Sequence, residues 1–294
     1  MSLIQLRLTE HLPNSKIIRT TPETQANFAW VSPSGTLGEL TAAAWARSKV
    51  LEQKRESGGQ APDRRLIRPP FADALRRANV AVIAEMKRRS PSKGVINSTL
   101  SSAEQATKYA AGGAAALSVL TEPTQFGGNN DDVGTARVSA LPILKKDFHV
   151  SEAQLAEAVA LGASAALIIV RAISPDRLTV LAQAAREIDL EVLFEVRDER
   201  ELDRALAAGA ILVGVNNRNL ETLLIDPDTV SRIIPLVPSE CIAIAESGYS
   251  TAADVQRAAD AGADAVLIGS SLSASPDPRA AVTLLSGVAR RQRS

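Results

Sequence analysis

Eight short apolar runs recur along the chain, each too brief for a helix of ordinary length. They read VAVIAE (80–85), AALSVLT (115–121), PILKKDF (142–148) and AALIIV (165–170), then EVLFEV (191–196), ILVGV (211–215), IAIAES (242–247) and AVLIG (265–269). Rich in β-branched residues, they predict strands buried on both faces. Helical patterns fall between them, at 102–111, 151–161, 176–188, 199–208, 251–261 and near 279–290. The phrases AGGAAALSVL, LGASAALIIV, AAGAILVGV and AGADAVLIG share one grammar: a helix end, a glycine, then a strand. Glycine at that place suits the left-handed turn that ends a helix. Eight such strand–helix units predict an α/β protein with the (βα)8 TIM-barrel fold. The competing architecture, an open doubly wound sheet, lacks its GxGxxG fingerprint after the first strand.

Composition sets limits on function. Apolar residues make up 45% of the 294 but aromatics only 3%, so the core must be built from Ala, Val, Leu and Ile. A formal net charge of zero argues against nucleic acid or an anionic membrane as partners held by bulk charge. The single cysteine, Cys241, permits no intrachain disulfide, and the two distant histidines, His11 and His149, offer no metal-ligand spacing. Cys241 reads as a small core residue and His149 as a loop residue. No apolar run is long enough to span a bilayer, and a cytoplasmic location is expected. Residues 1–35 read as a poorly ordered arm and 36–294 as the barrel domain, which opens with an extra helix at 36–55. A loop (57–70) and a short helix (71–78) then lead into the first strand.

Active sites of such barrels collect at the carboxyl ends of the strands. Here the first run ends at Glu85 and Lys87, the third at Lys146, the fifth at Glu195. The sixth leads into Asn216 and Arg218, the seventh into Glu246 and Ser247, the eighth into Gly269 and Ser270. Apolar side chains would fill a barrel at lower cost, so polar endings on this many strands mark a site. Side chains at i and i+2 share one face of a strand, so Glu85 and Lys87 point the same way. Parity alone leaves open whether Lys145 or Lys146 faces inward. Glu195, set between Phe194 and Val196, has the buried setting of a general acid or base. The stretches AESGYS (245–250) and IGSSL (268–272) expose backbone N–H groups at the last two strands, ahead of a short helix. That is the usual phosphate cradle of these barrels. Blander readings stand beside these: Glu85–Lys87 as a structural ion pair, 216–218 as a polar turn, Arg88 and Arg89 as rim solvation.

The segments IAEMKRRSPSKG, LSVLTEPTQFGG, PILKKDF, LIIVRA, LFEVRD, VGVNNRNLET, IAESGYS and LIGSSL stand in collinear order. Together they closely resemble the indole-3-glycerol-phosphate synthase family, over about residues 36–285. The resemblance implies a barrel with an N-terminal extension over the catalytic mouth and a carbon–carbon carboxy-lyase of tryptophan biosynthesis. It also implies no cofactor, no metal and a phosphorylated small-molecule substrate, 1-(2-carboxyphenylamino)-1-deoxyribulose 5-phosphate. Ring closure, loss of carbon dioxide and loss of water would yield indole-3-glycerol phosphate. A monomer is expected.

Carried over by motif, Lys146 resembles the general acid at the substrate ketone, which favours it over Lys145. Lys87 resembles the residue that holds the substrate carboxylate and donates a proton during dehydration. Glu195 matches the carboxylate that steadies charge on the anilino nitrogen and takes a proton as water leaves. Glu85 and Asn216 resemble the pair that grips the substrate hydroxyls, with Arg218 alongside and Glu246 behind. Ser90, Ser247, Gly248, Gly269 and Ser270 match the phosphate cradle, and Phe126, Phe148, Leu167 and Leu220 would wall the anthranilate ring. The chain departs from the family pattern at Asn129–Asn130, where serine is usual, at Arg89, where a small residue is common, and in the arm Met1–Ser34. Two rivals remain at this point. One is another phosphate-sugar barrel enzyme such as phosphoribosylanthranilate isomerase; the other is a non-catalytic phosphate-ligand-binding barrel.

Overall fold

The computed structural model describes residues 30–57 and 66–293. Most of the expected arm, and residues 58–65 of the expected loop, lie outside the described residues. All eight apolar runs are strands: β1 (Ala81–Met86), β2 (Ala116–Leu120), β3 (Ile143–Lys146), β4 (Ala165–Ile169), β5 (Glu191–Val196), β6 (Leu212–Asn216), β7 (Ile242–Glu246) and β8 (Ala265–Ile268). Each pairs in parallel with its sequence neighbour, and β8 returns to β1, with Ala81 opposite Ala265, to close the barrel. Closure removes sheet edges, and the helices cover the outer face, so the strands stay apolar on both sides.

The helices follow the expected order. They are α1 (Gly35–Glu56), α2 (Phe71–Leu75), α3 (Ser102–Ala111), α4 (Asp131–Ala136), α5 (Glu152–Leu161) and α6 (Pro175–Glu187). Then come α7 (Glu199–Ala207), α8 (Asp228–Ile233), α9 (Ala252–Asp260), α10 (Ser270–Ser273) and α11 (Pro278–Leu285). The repeat glycines do what the grammar asked: Gly162 and Gly209, for example, sit at φ 87° and 85°.

Two local expectations are corrected. The helix expected near 279–290 stops at Leu285, because Gly287 turns the chain at φ 99° and the tail then runs across the barrel floor. There Arg290 and Arg293 both pair with Asp264, at 2.8 and 2.6 Å. The helix expected at 71–78 ends at Leu75. The SPSKG turn after β1 is a small hairpin, Arg89–Ser90 against Gly94–Val95. Helices α4 and α8, six residues each, are too short to show a helical period in the sequence.

His149 is a loop residue, as expected, but a buried one. Its ring is buried and Nδ1 lies 2.8 Å from the carbonyl of Leu167. Burial, reinforced by the nearby Lys145 ammonium, pushes its pKa down to about 3. An unfolded histidine takes its proton at about pH 6.5, so this residue's contribution is complete above that pH and is lost as the pH falls toward 3. Urea unfolding is expected to lose about 1–2 kcal/mol between roughly pH 6.5 and pH 5 on this account. His149→Gln should remove most of that slope. Parallel stability–pH profiles for the two proteins would place the acid sensitivity elsewhere.

Candidate active site

The charged strand ends converge at one mouth. Lys146, the last residue of β3, points into the barrel with Nζ 3.0 Å from Glu195 Oε2 and 3.3 Å from Glu246 Oε2. Lys145, one residue earlier, points outward. It is buried with Nζ 3.3 Å from Glu157 of α5 and 3.5 Å from Asp147. The alternation of a strand thus gives one lysine to the site and the other to the wall.

Glu195 is held from a second side by Asn216, whose Nδ2 donates to Oε1 at 3.0 Å. Glu85 and Lys87 do share a face, with Lys87 Nζ 2.6 Å from Glu85 Oε1. Two glycines make room for the inward carboxylates. A Cβ at Gly269 would stand 2.1 Å from Glu85 Oε1, and one at Gly214 would stand 2.1 Å from Glu246 Oε1. Every other residue type would push these acids out of place.

These groups line a cavity of about 280 Å³. Its wall includes all sixteen residues singled out in the sequence: Lys146, Glu195, Lys87, Glu85, Asn216, Ser90, Phe126, Phe148, Leu167, Arg218, Leu220, Glu246, Ser247, Gly248, Gly269 and Ser270. The lining holds apolar as well as charged residues. Phe148 shares the inward parity of Lys146, and with Phe126, Leu167 and Leu220 it forms an apolar side. Ser247 and Gly248 take left-handed backbone angles, φ 66° and 90°, beside Gly269 and Ser270 at the start of α10. Arg218 is fixed by its own loop, donating Nη1 to the Leu223 carbonyl at 2.8 Å.

The electrostatics divide the proton states. Burial alone would strip the charge from Lys146, but the fields of Glu195, Glu246 and Glu85 outweigh it, and its pKa is raised. Burial pushes the Glu246 carboxyl up, to about 8, with Glu195 and Glu85 adding to the effect and Lys146 opposing it. The ammonium of Lys146 is thus favoured, while burial pushes the neighbouring Glu246 carboxyl toward its protonated form. Among the described residues no cluster of His, Cys, Asp and Glu has the arrangement of a metal site.

Sequence reasoning missed several wall residues. Ile169 follows Leu167 by two and shares its face, so parity could have found it. Thr36 and Leu40 reach the cavity from α1, and Lys93 from the hairpin tip. Nothing local in the sequence signals these. One expectation at the rim fails. Arg88 does more than solvate: it forms an ion pair with Asp132 at the start of α4 and donates Nη2 to the Leu100 carbonyl at 3.1 Å. Asn129 does not line the cavity; its Oδ1 accepts from the Asp131 N–H at 3.0 Å, shaping the turn into α4.

A closed parallel barrel with paired lysines and carboxylates over glycine–serine turns defines an acid–base enzyme for a small anionic substrate. Comparisons with known proteins give the particular family. A family model described as indole-3-glycerol phosphate synthase matches residues 42–285. The chain is 51% identical over 215 residues to the indole-3-glycerol phosphate synthase of a Nocardioides species, covering 73% of this chain and 83% of that one. It is 48% identical over 210 residues to the enzyme of that name from Mycolicibacterium gilvum, covering 71% and 77%. The chain belongs to the indole-3-glycerol phosphate synthase family. It is a carbon–carbon carboxy-lyase of tryptophan biosynthesis acting on a phosphorylated small molecule, which sets aside both rivals.

Solved structures show the shared fold alone. The 3-hexulose-6-phosphate synthase of Salmonella typhimurium superposes with a TM-score of 0.56 at 12% identity, over 70% of this chain and 96% of that one. A thiamine phosphate pyrophosphorylase from Pyrococcus furiosus does so with 0.54 at 16%, over 71% and 94%. Among the described residues no helix is long and apolar enough to cross a membrane.

Proposed function

We propose that the cavity binds 1-(2-carboxyphenylamino)-1-deoxyribulose 5-phosphate and that Lys146 is the acid of its ring closure. The observation that carries this reading is the Lys146 ammonium held at 3.0 and 3.3 Å from two buried carboxylates, between an apolar wall and a glycine–serine rim. The anthranilate ring lies against Phe126, Phe148, Leu167 and Leu220. The phosphate rests on the N–H groups of Ser247, Gly248, Gly269 and Ser270, joined by Ser90. Gripping both ends bends the substrate until the ring carbon that bears the carboxylate meets the ketone.

As that carbon attacks, electron density moves to the ketone oxygen. The forming alkoxide is more basic than an amine, so Lys146 gives up its proton and the oxygen becomes a hydroxyl. Loss of carbon dioxide restores the aromatic ring. Lys87 first holds the departing carboxylate and then protonates the hydroxyl, which leaves as water. Glu195 steadies the cationic nitrogen and removes the proton whose loss completes the indole. Glu85, Asn216 and Arg218 hold the remaining hydroxyls, and Glu246 sets the charge state of Lys146. Every group with a role belongs to one chain, so the proposal needs no partner subunit.

Ser270→Asp tests the phosphate end. A carboxylate in the cradle is expected to raise KM about tenfold or more, equivalent to ~1.4 kcal/mol of lost binding, with a smaller change in kcat. An unchanged KM would move the phosphate elsewhere.

A further inference from the structure

Helix α1 is fixed at the mouth at its start and again at mid-length. At its start, Ser34 N donates to Glu221 Oε1 at 2.7 Å and Thr36 N to the Glu221 carbonyl at 3.3 Å, in the loop after β6. Further along the helix, the Arg47 guanidinium reaches the loops beyond two neighbouring strands at once. Its Nη2 donates to Asp147 Oδ1 at 2.7 Å, just after β3, and its Nη1 lies 3.6 Å from Glu122 Oε1, just after β2. Both carboxylates are buried.

Neither acid is only a counter-ion. Glu122 accepts the backbone N–H groups of Thr124, Gln125 and Phe126, at 3.0, 2.6 and 3.1 Å, and so shapes the loop that carries Phe126. Asp147 stands between Lys146 and Phe148. It accepts the Phe148 N–H at 2.8 Å and the Thr121 hydroxyl at 2.7 Å. One guanidinium therefore ties the strand end bearing the acid to both aromatic walls, from outside the reacting volume.

We propose that Arg47 is a positioning residue for ring closure: its bridge between Asp147 and Glu122 sets Lys146 and Phe148 against Phe126. The inference rests on the reading of Lys146 as the acid. Without the guanidinium the two carboxylates lose their shared cation and repel. The strand ends stay tied through Thr121, whose N–H donates to the Lys146 carbonyl at 3.0 Å, so the shift falls on the Asp147 and Glu122 side chains and the walls they hold. The fold does not depend on this contact. Asp147 keeps Lys145 at 3.5 Å, and Glu122 keeps its three N–H donors. The displacement falls on catalysis, where misplacement by about 1 Å can lower a rate roughly a hundredfold.

The test compares Arg47→Met and Arg47→Lys with the parent enzyme, measuring kcat, KM and the thermal midpoint, with Lys146→Ala run in parallel. Arg47→Met should lower kcat about 10- to 100-fold while shifting the midpoint by only a few degrees. Arg47→Lys, which keeps a charge but loses the fork, should recover part of that loss. In an Asp147→Asn background, Arg47→Met should lower kcat by less than about threefold, because the bridge is already broken. That non-additivity is a readout that simple destabilisation would not produce. Near-normal kcat in Arg47→Met, or losses that multiply independently of Asp147→Asn, would overturn the inference while inactive Lys146→Ala leaves the acid assignment standing. Full turnover by Lys146→Ala would overturn both.

Discussion

Lys146→Ala is expected to lower turnover at least about a hundredfold, the range typical of a lost acid–base group, with the barrel intact. Removing the ammonium leaves Glu195 and Glu246 without the cation that pairs with both, while Glu85 keeps Lys87. In an ordinary core such a loss would be destabilising. Here the cavity admits solvent, and Glu246 already tends to hold its proton, with a pKa of about 8 set first by burial. Loss of Lys146, which lowers that value, raises it further, so Glu246 can shed its charge by taking a proton rather than by unfolding the barrel. Turnover followed by indole fluorescence, beside a thermal melt, separates the two effects. A folded variant with near-normal turnover would identify Lys87 as the ketone's acid, since it is the other lysine beside the inward carboxylates.

The barrel was legible because each of its strands carries its own signal. Buried on both faces, a strand such as Ala165–Ile169 needs nothing from its neighbours to be read as apolar. The site was legible for a related reason. Strand ends in a barrel have a known destination, so Glu85, Lys146, Glu195, Asn216 and Glu246 could be gathered without knowing any distance. The choice between Lys145 and Lys146 could not be made that way, because Lys145 is also buried and also paired, with Glu157 of α5. Local pattern cannot tell an amine facing the cavity from one facing a helix. Arg47 was out of reach for a stronger reason. It lies on a helix 75 residues or more before Glu122 in the chain, and only the placement of that helix across the mouth brings the two together. The resemblance to a family suggested the roles that strand parity left open, while the supporting shell needed three-dimensional placement.

Glu195→Gln separates the two buried carboxyls that touch Lys146. Glutamine is nearly isosteric and keeps an oxygen for Asn216, whose Nδ2 donates to Oε1 at 3.0 Å in the parent enzyme. It loses the negative charge opposite the ammonium, 3.0 Å away at Oε2, and it loses the ability to take a proton. Two steps suffer together under the proposed mechanism. The cationic nitrogen formed during dehydration has no counter-charge, and the last proton has no acceptor. Turnover should fall about a hundredfold, while KM changes little, because the phosphate and carboxylate grips lie elsewhere. Glu246→Gln makes the matched comparison: burial pushes its carboxyl up, so an amide there imitates the protonated form that burial favours. Its effect at neutral pH should be much the smaller of the two. The opposite order, with Glu246→Gln inactive and Glu195→Gln active, would hand the base role to β7 and leave Glu195 only the work of holding Lys146 in place.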